Sequence, residues 1–258
     1  MGAYQVVARN FSKAHENKIH DDEIARKYGF EGALVPGVAV YGHLTYPLVE
    51  KFGEAWLGHS LGSVRFLKPA YHGDQLDITY VEDDAGHHTR CHNQHGVLLA
   101  ELHSTMPDTL PEIEDQSIFA NPCKPVERLD MIWDTVHPQQ PFTPWHWQIT
   151  DDGNQTSASE IQDGQTIFRT FAHPHWLLSI ANRTLTREYI MPAWIHVGSE
   201  TRFHLPLRVG DTVEVRAVVL EKWQKKGHEF VRIYIAFYGG HELTTEIFHT
   251  SIFKVAER

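Results

Sequence analysis

The sequence predicts an α+β protein made of two similar halves, each with a buried helix followed by antiparallel strands. Three observations predict this class: an internal repeat, an apolar helical segment ahead of each copy, and strand-forming runs after each copy. Seven of the 13 prolines lie between residues 107 and 144, which excludes a continuous helix or central strand there. We therefore predict an N-terminal half at residues 1–106, a linker at 107–142 and a C-terminal half at 143–258.

The repeat joins residues 64–74 to residues 201–211 at an offset of 137 positions. The identical positions are Arg65, Phe66, Pro69, Gly73 and Asp74, matched by Arg202, Phe203, Pro206, Gly210 and Asp211. Each copy is typical of a strand, a Pro at the strand end and a Gly-Asp turn into the next strand. The strands are predicted at residues 74–81, 96–106, 212–220, 229–238 and 244–253.

One long helix is predicted in each half, at residues 37–52 and 173–187. The first is apolar on nearly all of its faces, which indicates a buried helix that Pro47 kinks or ends early. A short helix is predicted at residues 21–28 and another near 126–135. The polar stretch 151–164 is predicted as a loop or hairpin.

Composition limits the partners and the compartment. With 23 basic and 33 acidic residues the formal net charge is −10, which disfavours nucleic-acid binding. There is no apolar run long enough to cross a bilayer and no signal-peptide pattern at the start, so we expect no membrane partner and a cytoplasmic location. The two cysteines, Cys91 and Cys123, form neither a disulfide framework nor a zinc site.

The 19 histidines are best explained as a histidine-rich surface. His87, His88, His92 and His95 lie around a predicted hairpin, where alternate side chains face opposite sides, so we predict no metal site. Trp145, His146 and Trp147 are predicted to pack in the core or an interface.

A short polar segment ahead of the first buried helix forms a recognisable motif. The run Ala14-His15-Glu16-Asn17-Lys18-Ile19-His20 precedes the short helix, and residues 29–38 then lead into the buried helix. This arrangement resembles the MaoC-like hydratase/dehydratase family, which includes the (R)-specific enoyl-CoA hydratases. The Arg-Phe-x-x-Pro-x-x-x-Gly-Asp strand pair is similar to that family as well. The resemblance implies a double hotdog fold, with two helix-wrapped sheets forming a pseudo-dimer and one acyl-thioester cleft at their seam.

Carried over by position, the resemblance implies that Asn17 and His20 correspond to the family's Asn and catalytic His. It also implies a substrate-binding role for Gly37 and Val38, where a backbone amide polarises the thioester carbonyl. His15 stands where the family has its catalytic Asp, and Lys18 replaces the family's Pro. Two imidazoles, His15 and His20, would then share the roles of that Asp and His.

Three functions remain open from the sequence. The favoured one is reversible hydration of a 2-enoyl thioester carried by coenzyme A, as in fatty acid metabolism, with no cofactor and with possible pairing into a homo-oligomer. The second is thioester hydrolysis, which needs a carboxylate beside the helix N-terminus, and Glu16 and Glu31 are the nearest in sequence. The third is a non-catalytic protein that binds acyl thioesters.

Overall fold

The computed structural model describes residues 3–12, 16–122 and 127–256. Helices α1 to α5 span Asp22–Lys27, Gly37–Phe52, Glu54–Gly58, Asp151–Glu160 and Pro174–Glu188. Strands β1 to β6 span Ala3–Val7, Ser60–Phe66, Gln75–Asp83, Gly86–His92, Leu98–Thr105 and Leu129–Asp130. Strands β7 to β12 span Trp145–Gln148, Tyr189–Ile190, Ile195–Phe203, Thr212–Lys225, His228–Gly239 and Glu242–Lys254.

Ten strands form one antiparallel sheet in the order β1-β3-β4-β5-β2-β9-β12-β11-β10-β7. The halves meet where β2 pairs with β9, the two strands that carry the sequence repeat. Ser63 pairs there with Glu200, which is 137 positions later, the offset of the repeat itself. Each half therefore relates to the other by a pseudo-two-fold axis through this pair, and the double hotdog prediction is confirmed.

The long helices α2 and α5 pack on each other inside the curved sheet. Their close approach depends on Gly42, because an added Cβ would lie 2.6 Å from Cδ1 of Ile161 and 2.9 Å from Cβ of His175. Pro47 does not end α2, which continues to Phe52. Burial of residues on both sides of it, such as Leu44 and Leu48, offsets the backbone hydrogen bond that a proline removes.

Two sequence-based predictions are wrong. The polar stretch predicted as a loop or hairpin contains helix α4, which Thr150 caps by accepting a hydrogen bond from the backbone N–H of Gly153. Asn154 is buried on this helix and bonds to the carbonyls of Phe168 and Phe171, so polar contacts rather than an apolar stripe hold it in place. Within residues 127–135 the structure has a two-residue strand and a turn instead of a helix.

The remaining sequence-based assignments concern the core and the bilayer. Trp145 and Trp147 are buried as predicted, whereas His146 between them is exposed. Cys91 is a buried free thiol, and Cys123 lies outside the described residues. In the described part of the chain, every helix is too short or too polar to cross a bilayer.

Candidate active site

Two adjoining cavities lie at the start of α2. The first has a volume of about 590 Å³ and the second about 510 Å³. The two cavities share lining residues, which are Asn17, His20, Pro36, Asn182 and Trp194. Two of the predicted site residues, Asn17 and His20, therefore lie where the cavities meet.

Asn17 connects the first half to the second. Its Oδ1 accepts from the backbone N–H of Trp194 at 3.2 Å, and its Nδ2 donates to the carbonyl of the same residue at 3.0 Å. The same Oδ1 accepts from the backbone N–H of Ile19, so Asn17 also caps the turn that carries His20. The motif therefore depends on the second half for its position.

His20 has a defined tautomer when it is neutral. Its Nδ1 lies 2.7 Å from the carbonyl oxygen of Leu34, and because a carbonyl only accepts, Nδ1 carries the proton. The other ring nitrogen, Nε2, is then the basic one, and it lies 3.5 Å from Nδ2 of Asn17. An imidazole oriented in this way can take a proton from a water molecule or a hydroxyl group.

The N-terminus of α2 faces the same region. Its N-cap is Pro36, which has no side-chain acceptor for the first N–H groups of the helix. Gly37 lines the first cavity and Val38 the second. The amides at this terminus carry partial positive charge and suit a developing oxyanion.

The corresponding terminus of α5 is different. The side chain of His173 accepts from the backbone N–H of His175 at 3.0 Å, and Pro174 has no N–H to offer. This helix start is therefore already capped, and the two long helices are not equivalent as oxyanion sites.

Two lining residues of the second half were missed from the sequence. Asn182 on α5 lines both cavities, and its Oδ1 is buried without a hydrogen-bond partner. His196 on β9 lines the first cavity and is buried, and its Nδ1 also has no hydrogen-bond partner. The sequence contained one signal for His196, because this histidine lies in the strand that carries the second copy of the repeat. Its neighbours in the cavity come from distant parts of the chain, so the sequence did not show which side chains it contacts.

The second cavity has more charged side chains in its wall than the first. Glu160 of α4 and His175 of α5 line it and are 3.1 Å apart between Oε2 and Nε2. Trp176 of α5 lies in this wall, whereas Leu177 is in the core. The walls also contain Asp152 and Arg183.

The outcome differs among the other candidate residues. His15 is outside the described residues. Glu16 lines the second cavity and forms an ion pair with Arg128, whereas Glu31 is not among the lining residues of either cavity. On the β3–β4 hairpin, His88 pairs with Asp83 at 3.1 Å. Among the described residues no group of three or more His, Cys, Asp or Glu side chains is arranged to hold a metal ion.

Comparisons with known proteins show the class of fold. No family model and no curated protein matches the sequence. Solved structures do match, among them a protein from Mycobacterium tuberculosis with a double hotdog fold. It has a TM-score of 0.57 and 12% identity, covering 97% of this chain and 95% of that one.

Two further structures belong to proteins named as enzymes. One, assigned as a MaoC domain dehydratase in Chloroflexus aurantiacus, has a TM-score of 0.63 and 13% identity, covering 97% of this chain and 93% of that one. The other, assigned as an oleoyl thioesterase in Lactobacillus plantarum, has a TM-score of 0.56 and 8% identity, covering 98% of this chain and 96% of that one. The chain has a double hotdog fold, and its similar structures include both MaoC-like dehydratases and thioesterases.

Proposed function

We propose that the protein catalyses the reversible hydration of a 2-enoyl thioester to a 3-hydroxyacyl thioester. The observation that carries this proposal is the tautomer of His20, whose basic nitrogen Nε2 follows from the contact of Nδ1 with the carbonyl of Leu34. This side chain is in the wall shared by the two cavities, where a substrate spanning both would have its reacting carbons.

The proposed reaction needs one base that takes a proton from water and then delivers it to the substrate. His20 Nε2 takes a proton from water as the water oxygen bonds to C3, and the electron pair of the double bond moves towards the thioester carbonyl. The imidazolium then delivers that proton to C2, so H and OH are added and His20 is regenerated. The amide of Asn17 donates to Nε2 across 3.5 Å, and a water that accepts from this amide and donates to Nε2 would replace that long contact.

Charge develops on the thioester oxygen during this step. The uncapped N-terminus of α2 at Gly37 and Val38 supports the proposal, because N–H groups there can stabilise an enolate oxygen. Removing one such donor typically costs about 3–4 kcal/mol of transition-state stabilisation.

Charge at the first cavity favours a thioester of coenzyme A. The cationic side chains in its wall are Lys68 and Lys226, with His228 beside them, and its described lining residues include no Asp or Glu. Such a wall attracts phosphate groups. The carboxylate that hydrolysis needs is not among the described lining residues of this first cavity, although Glu16 and Glu160 line the second.

The experiment follows 2-enoyl-CoA esters by loss of the conjugated thioester absorbance and by free thiol in parallel. We expect absorbance to fall without thiol release, and His20→Ala to abolish the reaction. The matched control is His95→Ala, which removes an exposed histidine outside both cavities. His15→Ala tests whether that residue shares the role of the base.

Other outcomes would identify a different function. Thiol release at the rate of ester loss would identify a thioesterase. Ester binding without turnover would identify a non-catalytic acyl-thioester-binding protein. The division into residues 1–106, 107–142 and 143–258, a cytoplasmic location and homo-oligomer formation stay predictions.

A further inference from the structure

His196 lies beside the start of α2, although it belongs to the second half. A Cβ added to Gly37 would be 3.5 Å from Nδ1 of His196, so this nitrogen faces the first turn of the helix. The Phe66 ring packs on the imidazole with 4.7 Å between ring centroids. The imidazole is buried, and Nδ1 has no hydrogen-bond partner. Leaving such a group unsatisfied costs about 1–3 kcal/mol, which a ligand atom accepting from it would recover.

A chain of buried side chains continues from the other ring nitrogen. Nε2 of His196 is 2.9 Å from Oγ of Ser199, and this hydroxyl is 3.0 Å from Nδ1 of His249. Nε2 of His249 is 2.9 Å from Oγ of Ser251. All four residues are buried, and His196 is the one among them that lines the first cavity.

Both imidazoles are neutral at physiological pH. Burial lowers the pKa of His249 to about 3. Burial, followed by the charge of His249, lowers the pKa of His196 well below its ordinary value, and a backbone contact with Gly198 only partly opposes this shift. If Ser199 donates to one imidazole and accepts from the other, a neutral chain has two directions of hydrogen bonding. One direction places a proton on Nδ1 of His196, and the other places a lone pair there.

We infer that Nδ1 of His196 donates a hydrogen bond to the carbonyl oxygen of the thioester, opposite the amides that begin α2. The inference rests on the proposed function and adds a catalytic residue from the second half. In the direction that this requires, Ser251 donates to His249, His249 to Ser199, and Ser199 to Nε2 of His196. A bound carbonyl oxygen favours this direction. In the opposite direction, the lone pair on Nδ1 of His196 would face a lone pair of the carbonyl oxygen.

A neutral imidazole suits this role. It can polarise a carbonyl without itself giving up a proton, as a neutral histidine does in triosephosphate isomerase. The buried surroundings strengthen the hydrogen bond as negative charge develops on the oxygen. Ser199 is a positioning residue in this arrangement, since it acts through His196.

The experiment compares the wild type with His196→Phe, His196→Asn and Ser199→Ala. Phe keeps the ring size and removes the donor, whereas the side-chain amide of Asn returns an N–H near the position of Nδ1. His43→Asn is the matched control, because His43 is a buried histidine outside both cavities. Kinetics use crotonyl-CoA, and carbonyl polarisation is read from the absorbance maximum of bound 4-dimethylaminocinnamoyl-CoA. Circular dichroism and the thermal midpoint report folding.

We expect the wild type and His43→Asn to shift the absorbance of the bound chromophore to longer wavelength. His196→Phe should lose the shift and lower kcat roughly 100-fold, with KM little changed. His196→Asn should recover part of the absorbance shift and part of kcat. Ser199→Ala should reduce the shift and kcat less than His196→Phe does. If His196→Phe does not fold, the Asn and Ser199→Ala variants decide the question by the same readouts.

The inference is overturned if folded His196→Phe keeps both the shift and kcat while the wild type hydrates crotonyl-CoA, and the proposed function then stands. A wild type that hydrates no 2-enoyl-CoA ester, whether or not it binds one, overturns the proposed function and the inference with it.

Discussion

Acidification to pH 5.5 should destabilise this protein through its buried neutral histidines. Burial lowers the pKa of His43 to about 3 despite the opposing charge of Asp163, and it lowers the pKa of His249 to about 3 as well. In the unfolded chain both imidazoles have an ordinary pKa of about 6.5. Between these values the unfolded state binds more protons, so stability is full above pH 6.5 and falls as the pH drops.

The magnitude follows from the difference in bound protons. At pH 5.5 each of the two groups costs about 1.4 kcal/mol, so together they lower the free energy of unfolding by about 3 kcal/mol relative to pH 7.5. His196 shifts in the same direction and adds to this loss. Carboxyl groups of the unfolded chain have pKa values near 4, below this window. Burial raises the pKa of Glu188 in the folded state, so this group gains stability on acidification and reduces the loss.

The assay is urea unfolding at pH 7.5, 6.5 and 5.5 at constant ionic strength, followed by tryptophan fluorescence and circular dichroism. His43→Asn should reduce the loss between pH 7.5 and 5.5 by about 1.4 kcal/mol, since one titrating group is removed. His95→Ala, at an exposed position, should leave it unchanged. A free energy of unfolding that stays constant from pH 7.5 to 5.5 would refute the reasoning.

Two further predictions concern the first cavity. In Gly37→Ala the new Cβ would lie 3.4 Å from Cζ of Phe66 and 3.5 Å from Nδ1 of His196, so the chain should fold with an unchanged thermal midpoint. The methyl group would occupy the space for the thioester oxygen and lower kcat/KM at least about tenfold, and full activity would contradict this placement of the oxygen. Lys68→Glu and Lys226→Glu should each raise KM for crotonyl-CoA several-fold at low salt. This effect should shrink at about 1 M salt, where charges are screened beyond roughly 3 Å, and a salt-independent KM would argue against phosphate binding there.

Much of the fold could be predicted from the sequence because its signals are local or repeated. The apolar faces of residues 37–52 predict a buried helix, and the recurrence of residues 64–74 as 201–211 predicts two equivalent strands. Helix α4 was missed because it is polar on nearly every side, although Thr150 followed by two aspartates is a typical helix start. Its buried Asn154 holds the helix in place by donating hydrogen bonds to two carbonyls of the segment before α5. A pattern of hydrophobic residues does not indicate contacts of this kind.

The sequence by itself determined the two-half α+β class, the long helices and the motif of Asn17, His20 and Gly37. Only the tertiary structure decided that Asn17 is held by the backbone of Trp194 and that His196 faces Gly37. These pairs are more than 150 positions apart in the chain. Patterns of hydrophobicity fix local elements, whereas the pairing of β2 with β9 and the packing of α2 on α5 set which distant side chains share a cavity.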